Sequence, residues 1–386
     1  MVIAMTDSRL RRLAAVAVAL ACFLAAAAPR AADAQASAAA PTQAANNKGV
    51  VELETSSATG ISVSIAEDLA NIIDDGATRR VLPVIGKGAL QNITDLRVLR
   101  GIDMAILQQD VIDNIRQQKS MPGVENLTYI TKLYNEEFHL LARPEIKTVA
   151  DLANQKVNAD IRGAGTAVTA GRLFDLLKVS VTITNFDQQT ALEKLKKGEI
   201  AALAYVSGKP APLFRGLKAD DGLHFVSIPL DPKVTAAYVP TRLTNTDYPD
   251  LVTADKPVDT VAVGAALFVA NLVPDSERYR NVVNFIDAFF TQFQSLLEPG
   301  HHPKWAEVNL TAEIPGWRRF APADQWLKRN APAVASQSGG APRDLKTVFQ
   351  RFLEERLQVS GAQGMTQEQK DALFGQFQQW LTSQTR

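Results

Sequence analysis

The chain has 386 residues, 46% of them hydrophobic, with 41 Lys and Arg set against 41 Asp and Glu. That length accommodates two domains, each with enough apolar material for its own core. The balanced charge argues against a nucleic-acid binder or a polybasic membrane surface.

Residues 1–36 stand apart. Arg9, Arg11 and Arg12 precede an apolar run over 13–28 that is broken by Pro29-Arg30, and Ala32-Asp33-Ala34 or Ala34-Gln35-Ala36 supplies the small-x-small cleavage pattern of a secretory signal peptide. An uncleaved membrane anchor is the competing reading, but the run is short for a span. The only cysteine, Cys22, lies inside this segment, without the branched residue three positions earlier that lipidation usually has. After cleavage the chain would carry no thiol, disulfide or thiolate metal site. No other stretch reaches the ~18 unbroken apolar residues of a membrane span. The expectation is a soluble exported protein in the periplasm, with no membrane insertion after signal cleavage.

Residues 37–49 read as a disordered spacer. An alternating strand over 50–55 ends in Ser56-Ser57-Ala58-Thr59-Gly60, after which Ile61, Ile65, Leu69, Ile72 and Ile73 mark one face of a helix. The first turn of a helix leaves four backbone N–H groups unpaired and carries partial positive charge, so such a turn can seat a carboxylate or phosphate. A second strand over 81–85 turns through Gly86-Lys87-Gly88 into a helix over 89–99. A buried strand over 102–107 then ends at Gln108-Gln109-Asp110, which opens the next helix. Asp110 suits an N-cap or a ligand contact. The two glutamines offer donor and acceptor at a strand's carboxyl end, where open α/β sheets hold their ligands.

Residues 129–134 and 138–142 read as consecutive strands, and a short helical segment over 149–152 leads into residues 155–178. This stretch predicts a strand, a turn at Gly163-Ala164-Gly165 and a helix opening at Thr166, with Ala167, Ala170, Gly171, Phe174 and Leu177 holding it against a sheet. Taken alone it is either a bare connection or an anion seat; the matching turn at 56–60 favours the seat. Strands over 181–186, 200–206 and 223–228 follow, with a helix over 188–197 and a polar edge at Ser207-Gly208-Lys209-Pro210. Such alternation argues an α/β protein with mainly parallel sheets.

From 258 the pattern changes. The apolar run over 261–272 reads as the chain returning to the first domain, and a helix over 276–297 presents Phe285, Phe289, Phe290 and Phe293 to a core. His301-His302-Pro303 lacks a carboxylate at ligand spacing, so no metal is expected. Residues 331–343 form a linker. Beyond it, 344–386 reads as a helical extension with Leu345, Val348, Phe349, Phe352 and Leu373, Phe374, Phe377 on its apolar faces, either docked or serving as a separate interaction element. No G-x-S-x-G, H-E-x-x-H or G-x-x-x-x-G-K-[ST] motif occurs, and His139 and His224 read as strand residues. Neither a catalytic residue nor a cofactor is expected.

With the elements laid out, residues 50–330 resemble the TAXI-type solute-binding proteins of TRAP transporters, a branch of the type II periplasmic binding proteins. Thr59-Gly60, Gly88 to Asn92, Met104-Ala105-Ile106-Leu107-Gln108-Gln109-Asp110, Leu133-Tyr134-Asn135-Glu136, Gly163-Ala164-Gly165-Thr166 and Tyr205 to Pro210 carry the resemblance, in that order. It implies a two-lobed α/β fold with an interlobe ligand cleft. Lobe 1 would comprise 50–142 plus 260–330 and lobe 2 143–259, with crossing strands near 141–143 and 258–263. The implied function is capture of a small anionic organic solute, a carboxylate or amino acid, and its delivery to a TRAP-type membrane permease. Backbone N–H groups at Gly60, Gly165 and Thr166 and hydroxyls of Ser57, Thr59, Thr166 and Ser207 would hold the anion. Gln108, Gln109 and Tyr205 would select its shape, with Ile61, Gly163 and Ala164 in the same turns. Lys209 and Arg162 either add charge or are solvated. The chain departs from the family at Ile61 and Ser62, where an aromatic pair is usual, and at Gly88-Ala89, where a glycine-serine turn is usual. Two alternatives stand beside transport: a ligand sensor that signals through the C-terminal helices, and an enzyme using the cleft.

Overall fold

The computed structural model describes residues 49–56 and 60–331. The expected signal segment, nearly all of the expected spacer and linker, the expected helical extension, and Ser57 and Thr59 of the expected site lie outside the described residues.

Two strand–helix series follow one another. The first runs β1 (Val50–Thr55), α1 (Ser62–Ile73), β2 (Arg80–Ile85), α2 (Ala89–Val98), β3 (Met104–Gln108), α3 (Gln109–Gln118) and β4 (Thr128–Ala142). The second runs β5 (Lys156–Asn158), α4 (Gly165–Leu177), β6 (Thr182–Thr184), α5 (Gln188–Lys196) and β7 (Ala202–Ser207). Then come β8 (His224–Phe225), α6 (Pro232–Ala237), β9 (Val239–Leu243), β10 (Val258–Val269), α7 (Glu277–Thr291) and α8 (Ala321–Arg329).

The ten strands among the described residues form one sheet, with the main path β2-β1-β3-β10-β4-β7-β5-β6. Within each series the strands pair in parallel, β2 and β3 on β1, and β6 and β7 on β5. Two long antiparallel strands join the halves: β10 pairs with β3 and with β4, and β4 continues past β10 to pair with β7. The sheet is therefore mixed, a correction to the mainly parallel expectation, because β4 and β10 must run against their neighbours to pass from one half to the other. The change of partner on β4 falls at Glu136 and Glu137, opposite Val263 and Ala262, with Glu137 also opposite Ser207 of β7.

Side-chain spacing explains where each helix lies. Ile65, Leu69 and Ile73 bury one stripe of α1 against Val51, Leu53 and the aromatic face of α7 (Phe285, Phe289, Phe290), with Trp305 beneath. On the opposite face of the same half, Ile93 and Leu96 of α2 and Val111, Ile112 and Ile115 of α3 pack with Phe268 and Trp317. In the other half Ala170, Leu173 and Phe174 of α4 cover Phe138, Leu140 and Val206. Leu192 and Leu195 of α5 pack with Leu203, Phe214, Phe225 and Tyr248 on the reverse side.

Several expectations are corrected. Residues 129–134 and 138–142 belong to one strand, since β10 and then β7 pair along its length. The strands expected over 181–186 and 223–228 shorten to β6 and β8, while α6 and β9 were not foreseen. The long helix over 276–297 ends at Thr291 and continues as a 3-10 turn, Phe293–Leu297. The buried face of α4 is Thr166, Thr169, Ala170, Leu173 and Phe174, about one residue out of phase with the expected stripe.

His139, expected as a strand residue, lies fully buried on β4. Its Nδ1 lies 3.3 Å from the Tyr205 carbonyl, and its Nε2 lies 2.7 Å from the Tyr248 hydroxyl, which accepts the Ala211 N–H at 2.8 Å. One neutral tautomer, donating from Nδ1 and accepting at Nε2, satisfies the whole chain of bonds. Burial pulls the imidazole down to about 3. Between that value and the ordinary 6.5 the unfolded chain binds a proton that the native one does not, so this group's contribution to stability is lost as pH falls through the window. The expected slope is about 1.4 kcal/mol per pH unit from this group. His139→Gln should remove that slope when urea unfolding is compared with the parent chain between pH 6.5 and 4; parallel pH curves would refute the assignment.

Candidate functional site

Each half repeats one plan. The first strand of the series is central, the second lies outside it and the third inside it, so successive connections leave the first strand in opposite directions. In an open α/β sheet the crevice beyond the carboxyl ends of those strands is where ligands settle. Here both crevices open on the same space, a cavity of about 90 Å³. On the first half it is lined by Ser56 and Gly60 after β1, by Gly86, Lys87, Gly88 and Ala89 after β2, and by Ile106 and Gln108 of β3. The second half supplies Asp160, Ile161, Ala164, Gly165 and Thr166 after β5, and Tyr205 and Val206 of β7. Glu136, where β4 changes partner, completes it.

The helices that begin beside this cavity share one feature. Helices α1, α2, α3 and α4 have no side-chain hydrogen bond at their N-caps, which are Ile61, Gly88, Gln108 and Ala164. Away from the cavity α5, α6 and α7 are capped by Asp187, Asp231 and Ser276, while α8, whose N-cap is Phe320, has no side-chain cap. A side-chain cap satisfies N–H groups of the first turn; without one they remain available to another acceptor. Ser62 in α1 instead ties back the β1 turn, accepting the Ser56 N–H at 3.1 Å. Thr166 accepts the Val206 N–H at 3.1 Å, fixing the start of α4 to β7.

The two halves touch around the cavity. Leu90 N–H donates to the Gly163 carbonyl at 3.0 Å, and Thr169 Oγ1 donates to Asp110 Oδ2 at 2.7 Å. Gly88 is held at φ 125°, and a Cβ there would come 3.1 Å from the Ala164 Cα. A Cβ on Gly165 would come 1.4 Å from Gln108 Oε1. Asp110 sits inside the first turn of α3, whose N-cap is Gln108, so it is not the cap that its position suggested. Burial pushes its carboxyl up to about 6.

Among the expected site residues, Gly60, Gln108, Ala164, Gly165, Thr166 and Tyr205 line the cavity. Ile61, Gln109, Gly163 and Ser207 are not in its lining. Ile61 packs on Gly208, and Gln109 runs to Gly264, where a Cβ would meet its Oε1 at 1.9 Å. Ser207 is buried on β7 opposite Glu137. Arg162 is exposed, and Lys209 Nζ bonds Asp247 Oδ2 at 2.9 Å and the Arg242 carbonyl at 2.6 Å. His302 N–H and Trp305 Nε1 both donate to Asp68 Oδ2, and His301 Nδ1 lies 3.2 Å from Asp68 Oδ1, so this pair anchors α1.

Sequence reasoning passed over Ser56, Lys87, Glu136 and Asp160. Glu136 accepts Gln108 Nε2–H at 2.5 Å, and burial pushes its carboxyl up to about 7. Asp160 has a left-handed φ of 65° and accepts the N–H of Ile161; burial raises its carboxyl also. Lys87 is the cation of the lining, and it is exposed.

Among the described residues no helix is long and apolar enough to cross a membrane. The periplasmic binding protein BugD has a solved structure 14% identical to this chain, covering 74% of it and 95% of BugD at a TM-score of 0.46. MatC (Rpa3494) from Rhodopseudomonas palustris, solved with malate bound, is 15% identical over 75% of this chain and 98% of its own, at 0.45. A substrate-binding protein of an ABC uptake transporter from Streptococcus pneumoniae, solved with histidine bound, is 13% identical over 66% and 91%, at 0.42. At those identities and scores no residue role, ligand or partner is carried over from them. The model of one family, described as NMT1-like, matches residues 53–307, more than half of the 386, and the chain belongs to the NMT1-like family.

Proposed function

We propose that this protein is a periplasmic solute-binding protein of the TAXI type, exported through a cleaved signal peptide, which captures a small carboxylate or amino acid and delivers it to a TRAP-type membrane permease. One observation carries the reading: the ligand crevices of both halves open on a single cavity beside four helix N-termini that have no side-chain caps. Oriented N–H dipoles in an enclosed site hold an anion more strongly than they would in water. The two α/β halves on either side act as lobes, and the contacts between Leu90 and Gly163 and between Asp110 and Thr169 hold them together around the solute. No catalytic group is assigned.

The test begins with native mass spectrometry of the protein purified from the periplasm, followed by calorimetry with whatever compound it retains. Thr166→Ala is expected to weaken binding by about 1–3 kcal/mol, whereas Thr166→Ser, which keeps the hydroxyl, should lose less. Equal affinity in all three chains would remove Thr166 from the site. Uptake of the labelled solute into vesicles containing a TRAP-type permease should require this protein; uptake that proceeds without it would refute delivery.

A further inference from the structure

We infer that the solute carries a protonated amino group beside its carboxylate, and that Glu136 is the residue that selects for it; this rests on the solute-binding reading above. The lining divides by chemistry. The starts of α1, α2 and α4, with Lys87, can only offer N–H groups to a ligand. Oε1 of Gln108 can only accept, and so can Glu136 once it is ionised, the form that a cation beside this raised carboxyl favours.

Glu136 is 4% exposed and Gln108 8%. The bond from Gln108 Nε2–H to Glu136 Oε2 at 2.5 Å fixes the amide, so that Oε1 turns to Gly165 at the start of α4. That buried Oε1 has no hydrogen-bond partner. Asp160, on the opposite half, is a further carboxyl in the lining.

A ligand that is only a carboxylate would satisfy the helix starts and set its remaining lone pairs against these acceptors. A buried carboxylate is costly unless it is neutralised or paired. Lys304 is the cation whose charge reaches Glu136, but its Nζ is bonded to Glu137 and Glu307 at 2.7 Å each. An ammonium on the solute supplies both the charge and the donors that the acceptor side calls for, while its carboxylate faces the helix starts. Its protons reach Glu136 and Gln108 Oε1 together, because those two groups are already tied to each other.

The full secreted chain is titrated calorimetrically with pairs that differ only in the amino group: L-alanine and propionate, L-aspartate and succinate, L-glutamate and glutarate, L-leucine and 4-methylpentanoate. In at least one pair the amino acid is expected to bind about tenfold or more tightly than its partner. Glu136→Gln, which keeps the shape and removes the charge, should weaken that amino acid about tenfold and change its des-amino partner less than about threefold. Preference for the des-amino acid, or equal affinity in every pair, overturns the ammonium assignment and leaves solute binding intact. Discrimination that survives in Glu136→Gln overturns the role of Glu136. Binding of neither member of any pair up to about 1 mM overturns this inference together with the reading beneath it. A variant without a cooperative melt leaves the parent chain's pairs to decide whether an ammonium is read.

Discussion

Lys304→Met is expected to lower the unfolding free energy by about 3–5 kcal/mol, and combining it with Glu137→Gln is expected to recover much of that loss. Lys304 is 3% exposed and Glu137 2%, and Lys304 Nζ donates to Glu137 Oε1 and to Glu307 Oε1 at 2.7 Å each. The other oxygen of Glu137 accepts the Lys209 N–H at 2.9 Å. Methionine fills most of the lysine's volume but leaves Glu137 buried without its cation, and an uncompensated charge in the interior costs more than the pair contributes. The position matters beyond stability. Glu137 stands where β4 changes partner, Lys304 comes from the turn Pro303–Glu307, and Lys209 follows β7, so one carboxylate fastens the crossing strand to both halves. Burial already raises Glu137 above its ordinary value, and losing Lys304, which lowers it, raises it further. A carboxyl with a raised folded value gains stability as pH falls and loses it as pH rises through that value. The single variant should therefore be less impaired at pH 5 than at pH 8 in urea titrations. Equal losses in the single and double variants would show that the pair is not the cause.

What could be read from the sequence follows from which interactions are local. The stretch 155–178 declared its strand, turn and helix because the glycines and the apolar spacing act over a few residues, and Gln108 was legible as the polar end of a buried strand. Gln109 was harder to place: at a strand-to-helix junction adjacent side chains diverge, so Gln108 facing the cavity sends Gln109 to Gly264. Glu136 left a signal that went unused. A carboxylate that alternates with the buried Tyr134 and Phe138 on one face of a strand has to find a partner, and its partner lies at the end of β3, which spacing alone does not reveal. Strands β6 and β8 shorten because pairing with β5 and β4, and not side-chain propensity, decides how far they extend. The phase of α4 shifted for a similar reason: Thr166 turns inward to accept a backbone N–H from β7, and Thr169 turns inward to reach Asp110. Small polar residues with partners in the fold can displace an apolar stripe that spacing alone would choose.

Gly165→Ala is expected to weaken solute binding by about tenfold or more and to lower stability by about 1–3 kcal/mol. Gly165 is the first residue of α4, where alanine fits the helical backbone, so the effect comes from what the added methyl meets. Its ideal position is 1.4 Å from Gln108 Oε1 and 2.5 Å from Gln108 Cδ. The amide cannot swing aside freely, because Nε2 is bonded to Glu136 and the side chain is almost wholly buried. Either the Gln108–Glu136 bond breaks, removing the acceptor pair from the cavity, or the start of α4 moves away from β3 and the two halves part. The double variant Gly165→Ala with Gln108→Ala separates these outcomes. Removing the amide makes room for the methyl, so stability should return while binding stays weak, since the cavity has lost an acceptor. Small-angle scattering of Gly165→Ala decides the rest. A radius of gyration larger than the parent's, restored in the double variant, means that the close approach of Gly165 to Gln108 sets how far the halves close. An unchanged radius means that closure is set elsewhere, at Gly163 and Asp110.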